Sequence, residues 1–202
     1  MRIAVFGGTF DPPHYGHIKL AQFVVDNNYA EQVLFVPAYA PPHKRDKVVA
    51  SFEDRVAMLE LAVGVNDKFA ISLIEQQECR SPSYTYDTMK SLEELYSEDK
   101  LLVMIGYDSL IQLHTWFKGR DIIRRWQLLT YPRAGDLMND KFHLSDWWSK
   151  EECDILSRSV IDADNLQVSS TEIRSSVGDL GSSHLFITDE VQKYIVNNNL
   201  YK

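Results

Sequence analysis

The stretch "KLLVMIG", Lys100–Gly106, is apolar at every interior position, so a strand made from it has no polar face to offer to water. Strands of that kind are buried on both faces, as in a parallel sheet covered by helices on each side. Similar short runs recur along the chain: Arg2–Gly7, "QVLFVP" at Gln32–Pro37, "FAISLI" at Phe69–Ile74, and Gln127–Tyr131. Helical stripes stand between them. Gly16–Asn27 carries Ile18, Leu20, Ala21, Val24 and Val25, and Ser51–Gly64 repeats Phe52, Val56, Leu59 and Val63 behind Ser51 as an N-cap. Tyr84–Tyr96 and Asp121–Trp126 read as further helices. Strands alternating with helices predict an α/β fold built on a doubly wound parallel sheet.

Beyond Tyr131 the alternation loosens into a polar, Trp-bearing excursion over Asp136–Ser149 that reads as an insertion. Its Trp147–Trp148 pair suits packing against the body or against a second subunit, which leaves self-association open. Thr171–Val177 and Asp189–Asn198 read as two closing helices, a small helical C-terminal part. No repeat or linker interrupts residues 1–202, so a single domain is expected, and 45% hydrophobic content suffices for its core. A formal charge of −8 argues against broad nucleic-acid binding, which depends on neutralising many phosphates. The longest apolar runs fall far short of the roughly 20 residues that cross a bilayer. Met1-Arg2 leads straight into a strand rather than a signal-peptide core, so a cytoplasmic protein without membrane contact is expected. Cys79 and Cys153 lack a CxxC partner and read as ordinary thiols.

Open α/β sheets bind ligands at the carboxyl ends of their strands, and the stretch "VFGGTFDPPHYGH" falls at one such end. Gly7 and Gly8 let backbone approach a bound group without an intervening Cβ, and the next helix turns its amino end toward the same space. An anion suits that place. The glycine spacing matches neither GxGxxG nor a P-loop. Pro12 and Pro13 stiffen the approach, after which His14 and His17 share one face of the first helical turn. Imidazoles donate hydrogen bonds to phosphate, and add charge when protonated. The plainer alternatives are helix capping by the two histidines, or a zinc pair that lacks an obvious third ligand nearby.

"GGTFDPPHYGH" resembles the GGTFDPxHxGH signature of the HxGH nucleotidyltransferase superfamily. "PPHK" at Pro41–Lys44, "SPSYTYDT" at Ser81–Thr88, "IGYDSL" at Ile105–Leu110, Trp116, "SSTEIR" at Ser169–Arg174 and "YIVNNNLY" at Tyr194–Tyr201 resemble, in order, its nicotinate-mononucleotide adenylyltransferase branch. The resemblance implies a Rossmann-like fold and transfer of AMP from ATP, with its Mg2+, to nicotinate mononucleotide. The products would be nicotinate adenine dinucleotide and pyrophosphate, on the way to NAD.

The same resemblance implies roles for individual residues. His14 and His17 would contact the ATP phosphates, His17 nearest the developing charge, with Lys44 closing over them on its loop and Arg174 clamping them beside Ser170 and Thr171. Gly7, Gly8, Thr9 and Phe10 would line the nucleotide cleft, and Gly106 would lie beside Asp108, which would hydrogen-bond a ribose hydroxyl. On the acceptor side, Thr85 and its backbone neighbours would receive the pyridine carboxylate and Trp116 would stack on the ring. Arg133, in "PRAG", stands where the family often writes RPG, so Ala134 departs by lacking the proline; Thr188 likewise replaces a proline before the last helix, where it or Asp189 can act as cap.

Plainer readings stand beside these. Ser169 and Glu172 form a capping box on their own; Lys44 can be a solvated loop lysine, Asp108 or Ser109 a helix cap, Trp116 a core residue, and Thr9 and Phe10 turn and core residues. The chemistry itself requires no general base, because the attacking phosphate is already an anion and pyrophosphate leaves readily. Positioning and charge stabilisation remain for the protein to supply. The rival activities are the same transfer to nicotinamide mononucleotide or phosphopantetheine, a non-catalytic nucleotide-binding module, and a metal hydrolase built on the two histidines.

Overall fold

The structure is a computed structural model that describes residues 1–41, 50–132, 144–163 and 186–201. Five parallel strands, β1 (Arg2–Gly8), β2 (Gln32–Pro37), β3 (Phe69–Ile71), β4 (Lys100–Gly106) and β5 (Gln127–Tyr131), form one sheet in the order β3-β2-β1-β4-β5. The helices are α1 (Tyr15–Asp26), α2 (Phe52–Val63), α3 (Ile74–Gln77), α4 (Thr85–Leu95), α5 (Tyr107–Gln112), α6 (Gly119–Arg125), α7 (Lys150–Arg158) and α8 (Asp189–Asn197). The doubly wound parallel α/β sheet expected from the strand–helix alternation is the architecture observed, and it agrees with the Rossmann-like fold that the resemblance implies.

Successive side chains of a strand point to opposite faces, and both faces here are apolar. Ile3, Val5, Leu101, Val103 and Ile105 pack under α4, α5 and α6, together with Trp148 and Leu156 from around α7. On the other face, Ala4, Phe6, Phe35, Leu102 and Met104 pack under Leu20, Ala21 and Val24 of α1 and Leu59 and Val63 of α2. Outside that layer, Val191 and Ile195 of α8 cover Met58 and Ala62 of α2. Helices therefore cover both faces, and the closing helix adds a partial third layer on one of them.

The path of the chain locates the ligand cleft. From β1 it winds outward to β2 and β3, then returns to place β4 on the opposite side of β1. The switch point therefore lies between the carboxyl ends of β1 and β4, where open α/β sheets form their binding crevice. Gly7 and Gly8 end one of these strands and Gly106 the other.

Several local expectations hold. Ser51 caps α2 by accepting from the Asp54 N–H at 3.0 Å, and Thr188 caps α8 by accepting from the Val191 N–H at 3.3 Å. Others change. "FAISLI" is strand only through Ile71; after Ser72 and Leu73 the chain turns into α3, which buries Ile74 and Glu75 against the core. On α2 the buried stripe is Phe52, Arg55, Met58, Leu59, Ala62 and Val63, so Val56 is displaced to a half-buried flank and a charged residue takes its place. The excursion ends at a regular helix, α7, started by a capping box between Ser149 and Glu152. Trp148 is buried against the body, while Trp147 is 52% exposed and stacks on His114 at 4.3 Å. The expected helix over Thr171–Val177 lies outside the described residues. No described helix is long and apolar enough to cross a membrane.

Candidate active site

Strand β1 delivers its last residues to the switch point in an open state. A Cβ on Gly7 would meet nothing within 4 Å among the described residues, so the backbone there is accessible from the cleft. Gly8 is fixed by a different demand: a Cβ there would fall 2.8 Å from the Phe10 ring. Phe10 itself has a left-handed backbone, φ 51°, and is buried in the second core cluster. Its side chain therefore belongs to the core, and it acts on the cleft by holding its edge to His17, ring centroids 5.0 Å apart. Thr9 is half-buried, and its carbonyl accepts from Arg55 Nη1 at 2.7 Å.

His14 and His17 come together at the start of α1 as their spacing predicts. Their rings stack with centroids 3.6 Å apart, and Phe6 lies edge-on to His17 at 5.8 Å. The capping reading is also right for His17. Its Nδ1 accepts the His14 backbone N–H at 3.2 Å. An accepting Nδ1 carries no proton, so the ring is neutral in this arrangement and its proton resides on Nε2, the nitrogen suited to donate to an anion. Capping and ligand contact are thus compatible roles of one ring, using different nitrogens.

One expectation about this helix start needs correction. Its first amides are not all turned to the cleft: the Tyr15 N–H donates to the Phe186 carbonyl at 2.8 Å and the His17 N–H to the His14 carbonyl at 2.9 Å. The chain segment before α8 and the helix's own first turn satisfy them, so capacity for an anion rests more on the imidazoles and the helix dipole.

Across the switch point, Gly106 is the N-cap of α5 and Asp108 lies in its first turn. Asp108 is not the cap residue. Its Oδ1 folds back to where a Gly106 Cβ would be, at 2.4 Å, so only glycine at 106 leaves the carboxylate in this position. Thr85 is the first residue of α4, half-buried behind Tyr84. Trp116 closes a short 3-10 turn after α5 and is half-buried against the first core cluster, so it is in part a core residue. Lys44, Arg133, Ser170, Thr171 and Arg174 lie outside the described residues. Among the described residues no group of three or more His, Cys, Asp or Glu side chains converges as a metal site.

Three buried charged residues beneath the cleft were not singled out from the sequence. Asp11 is 2% exposed and accepts from the Ala50 N–H at 3.2 Å and from the Tyr201 hydroxyl at 2.6 Å. Arg55 is 1% exposed and bridges the ends of two strands, donating to the Thr9 carbonyl and, at 2.9 Å, to the Ala38 carbonyl. Burial lowers the Arg55 pKa, and the carboxylate of Asp11 opposes that shift. Glu75, also buried, accepts from the Tyr39 N–H and from the Thr88 hydroxyl. The signal for Arg55 was present in its register, a cation on the apolar stripe of α2; Asp11 and Glu75 sit in a loop and a short helix where no periodicity marks them.

The Cytidylyltransferase-like family model matches residues 5–176. The chain is 33% identical over 201 residues to the nicotinate-nucleotide adenylyltransferase of Bacillus subtilis, covering 100% of this chain and 98% of the relative. The chain belongs to the nicotinate-nucleotide adenylyltransferase family. Among solved structures, the Plasmodium falciparum nicotinic acid mononucleotide adenylyltransferase complexed with NaAD superposes with a TM-score of 0.77 at 21% identity, over 99% of this chain and 97% of that one. The same Plasmodium enzyme complexed with APC gives 0.76 at 19% identity, over 99% and 96% of the two chains. At those identities the structures speak to the fold, which this adenylyltransferase-family chain shares nearly end to end.

Proposed function

We propose that this chain transfers AMP from ATP to nicotinate mononucleotide, forming nicotinate adenine dinucleotide and pyrophosphate, a step toward NAD carried out in the cytoplasm. The observation that carries the reading is the stacked His14–His17 pair that follows β1, in a sheet whose switch point lies between the ends of β1 and β4. The 33% identity to the Bacillus subtilis relative, which extends over 100% of this chain, supports the choice of reaction.

In this reading an oxygen of the acceptor's phosphate forms a bond to the α-phosphorus of ATP. The bond from that phosphorus to the bridging oxygen of pyrophosphate breaks, and the electron pair leaves with pyrophosphate. The open backbone at Gly7, with Gly8 beside it, admits the triphosphate, and His14 and His17 hydrogen-bond it, with Nε2–H of His17 nearest the charge that grows during transfer. Thr9 and Phe10 shape the floor below them; Asp108 accepts from a ribose hydroxyl. Lys44, Ser170, Thr171 and Arg174 complete the phosphate contacts, and Thr85, Trp116 and Arg133 hold the pyridine end of the acceptor. Mg2+ would arrive with ATP as part of the substrate, held by phosphate oxygens and water, and would supply charge neutralisation for the pyrophosphate.

The test is pyrophosphate release with ATP and, in parallel, nicotinate mononucleotide, nicotinamide mononucleotide or phosphopantetheine. Fastest turnover with nicotinate mononucleotide is expected. Preference for either other acceptor would reassign the substrate, and release with none of them would favour a non-catalytic nucleotide-binding module.

A further inference from the structure

In the adenylyl-transfer reading the two substrate halves are held by different parts of the fold, and one hydrogen-bonded segment joins those parts. Ala38–Ala40 leaves the end of β2 and runs between them. On the ATP side, the Ala38 N–H donates to the Gly8 carbonyl at 2.8 Å, and Arg55 bridges the Ala38 and Thr9 carbonyls. On the acceptor side, the Tyr39 N–H donates to Glu75 Oε2 at 3.0 Å, and Ala40 exchanges hydrogen bonds with Ser83, its N–H to Ser83 Oγ and its carbonyl from the Ser83 N–H, both at 2.9 Å. The other oxygen of Glu75 accepts from Thr88 Oγ1 at 2.8 Å, in the first turn of α4, which begins at Thr85.

Resting on the adenylyl-transfer reading above, we propose that Glu75 is a positioning residue that fixes the amino end of α4, and the acceptor held there, at reacting distance from ATP. The contacts call for a side chain of this length with two polar heads. Both partners are donors, one of them a backbone N–H with no alternative orientation, and Glu75 is 6% exposed, so water does not replace a lost acceptor. The reaction gives the link its purpose. Two polyanions repel one another, and nothing but the scaffold keeps an attacking oxygen in line with phosphorus. A misplacement of about 1 Å in such an arrangement costs on the order of 100-fold in rate.

Three variants separate this role from general support of the fold. Glu75→Ala removes both contacts. Thr88→Val keeps shape and the Glu75–Tyr39 bond and cuts only the acceptor-side end. Glu75→Gln preserves both contacts, because its amide oxygen can serve Tyr39 while its NH2 donates to Thr88, whose own proton turns to the Tyr84 carbonyl at 3.2 Å. Wild-type turnover is measured first; its absence removes the adenylyl-transfer reading itself. Given wild-type turnover, Glu75→Ala is expected to lower kcat about 100-fold and Thr88→Val about tenfold. The KM for ATP and calorimetric ATP affinity should stay within about threefold, and Glu75→Gln should recover most of kcat. The role of Glu75 is overturned if Thr88→Val turns over like wild type. Loss of ATP binding in parallel with kcat, or Glu75→Gln as slow as Glu75→Ala, overturns it equally. Should Glu75→Ala fail to fold, the other two variants decide.

Discussion

Adding one methyl group at Gly106 isolates the contribution of Asp108 without touching the carboxylate chemically. The backbone at 106, φ −73° and ψ 157°, accepts any L-residue, so Gly106→Ala introduces no conformational strain. Its Cβ would stand 2.4 Å from Asp108 Oδ1 and 3.4 Å from the Tyr131 ring. The second is an ordinary contact; the first is shorter than a comfortable one by about 1 Å, so the carboxylate must swing away by roughly that distance. If Asp108 orients the ribose of ATP, kcat/KM for ATP should fall on the order of 100-fold, or about 2.7 kcal/mol of transition-state stabilisation. Pyrophosphate release at subsaturating ATP measures it. The discriminating variant is the double one. With Asp108→Ala already in place the obstruction is gone, so Gly106→Ala should add less than about threefold. Wild-type activity in Gly106→Ala would refute the reasoning, as would a full second loss in the double variant.

His17→Ala should lower kcat between about 100-fold and 1,000-fold in the same assay. Denaturant melts should show a loss of only about 1 kcal/mol, the worth of its capping bond to the His14 N–H; a melt that loses far more would mean the rate effect is unfolding. Tyr201→Phe removes a donor from the buried Asp11 carboxylate and should reduce unfolding free energy by about 1–3 kcal/mol, an expectation that an unchanged urea midpoint would end. Arg2 pairs with Glu31 through hydrogen bonds from its side chain and its backbone N–H, and these draw the Glu31 pKa from its ordinary 4.5 down to about 2. Because the folded value lies below the unfolded one, whatever stability the pair contributes is present above about pH 4.5 and lost as pH falls toward about 2. A carboxyl-carbon NMR titration of Glu31 with a midpoint near 4.5 would contradict this pairing.

The sheet was legible because its strands are apolar on both faces, a pattern that few alternatives satisfy; β4 is the plainest case. Helix starts were legible wherever a single side chain caps them, as Ser51 and Thr188 do. β3 was overread since "FAISLI" is apolar at nearly every position, and pattern alone does not separate a three-residue edge strand from the buried turn of α3 that follows. α7 was passed over although "SKEE" carries its capping box, because the preceding tryptophans drew Ser149 into the excursion. The site divides the same way. Residues expected to face a ligand carried a motif, and Asp11 lies within it; Arg55 and Glu75 face main-chain groups from distant segments, and such partners leave no spacing rule in one dimension.

The bond between Tyr201 and Asp11 joins two residues 190 positions apart in the chain. Domains begin to organise from the amino end while still being synthesised, yet the histidine-bearing loop beside Asp11 gains this anchor only once residue 201 has emerged. A nascent chain halted before that residue can assemble much of the sheet while the loop that carries Asp11 still lacks this tether. The order of the loop that carries Asp11 is therefore tied to a residue far downstream rather than accruing strand by strand.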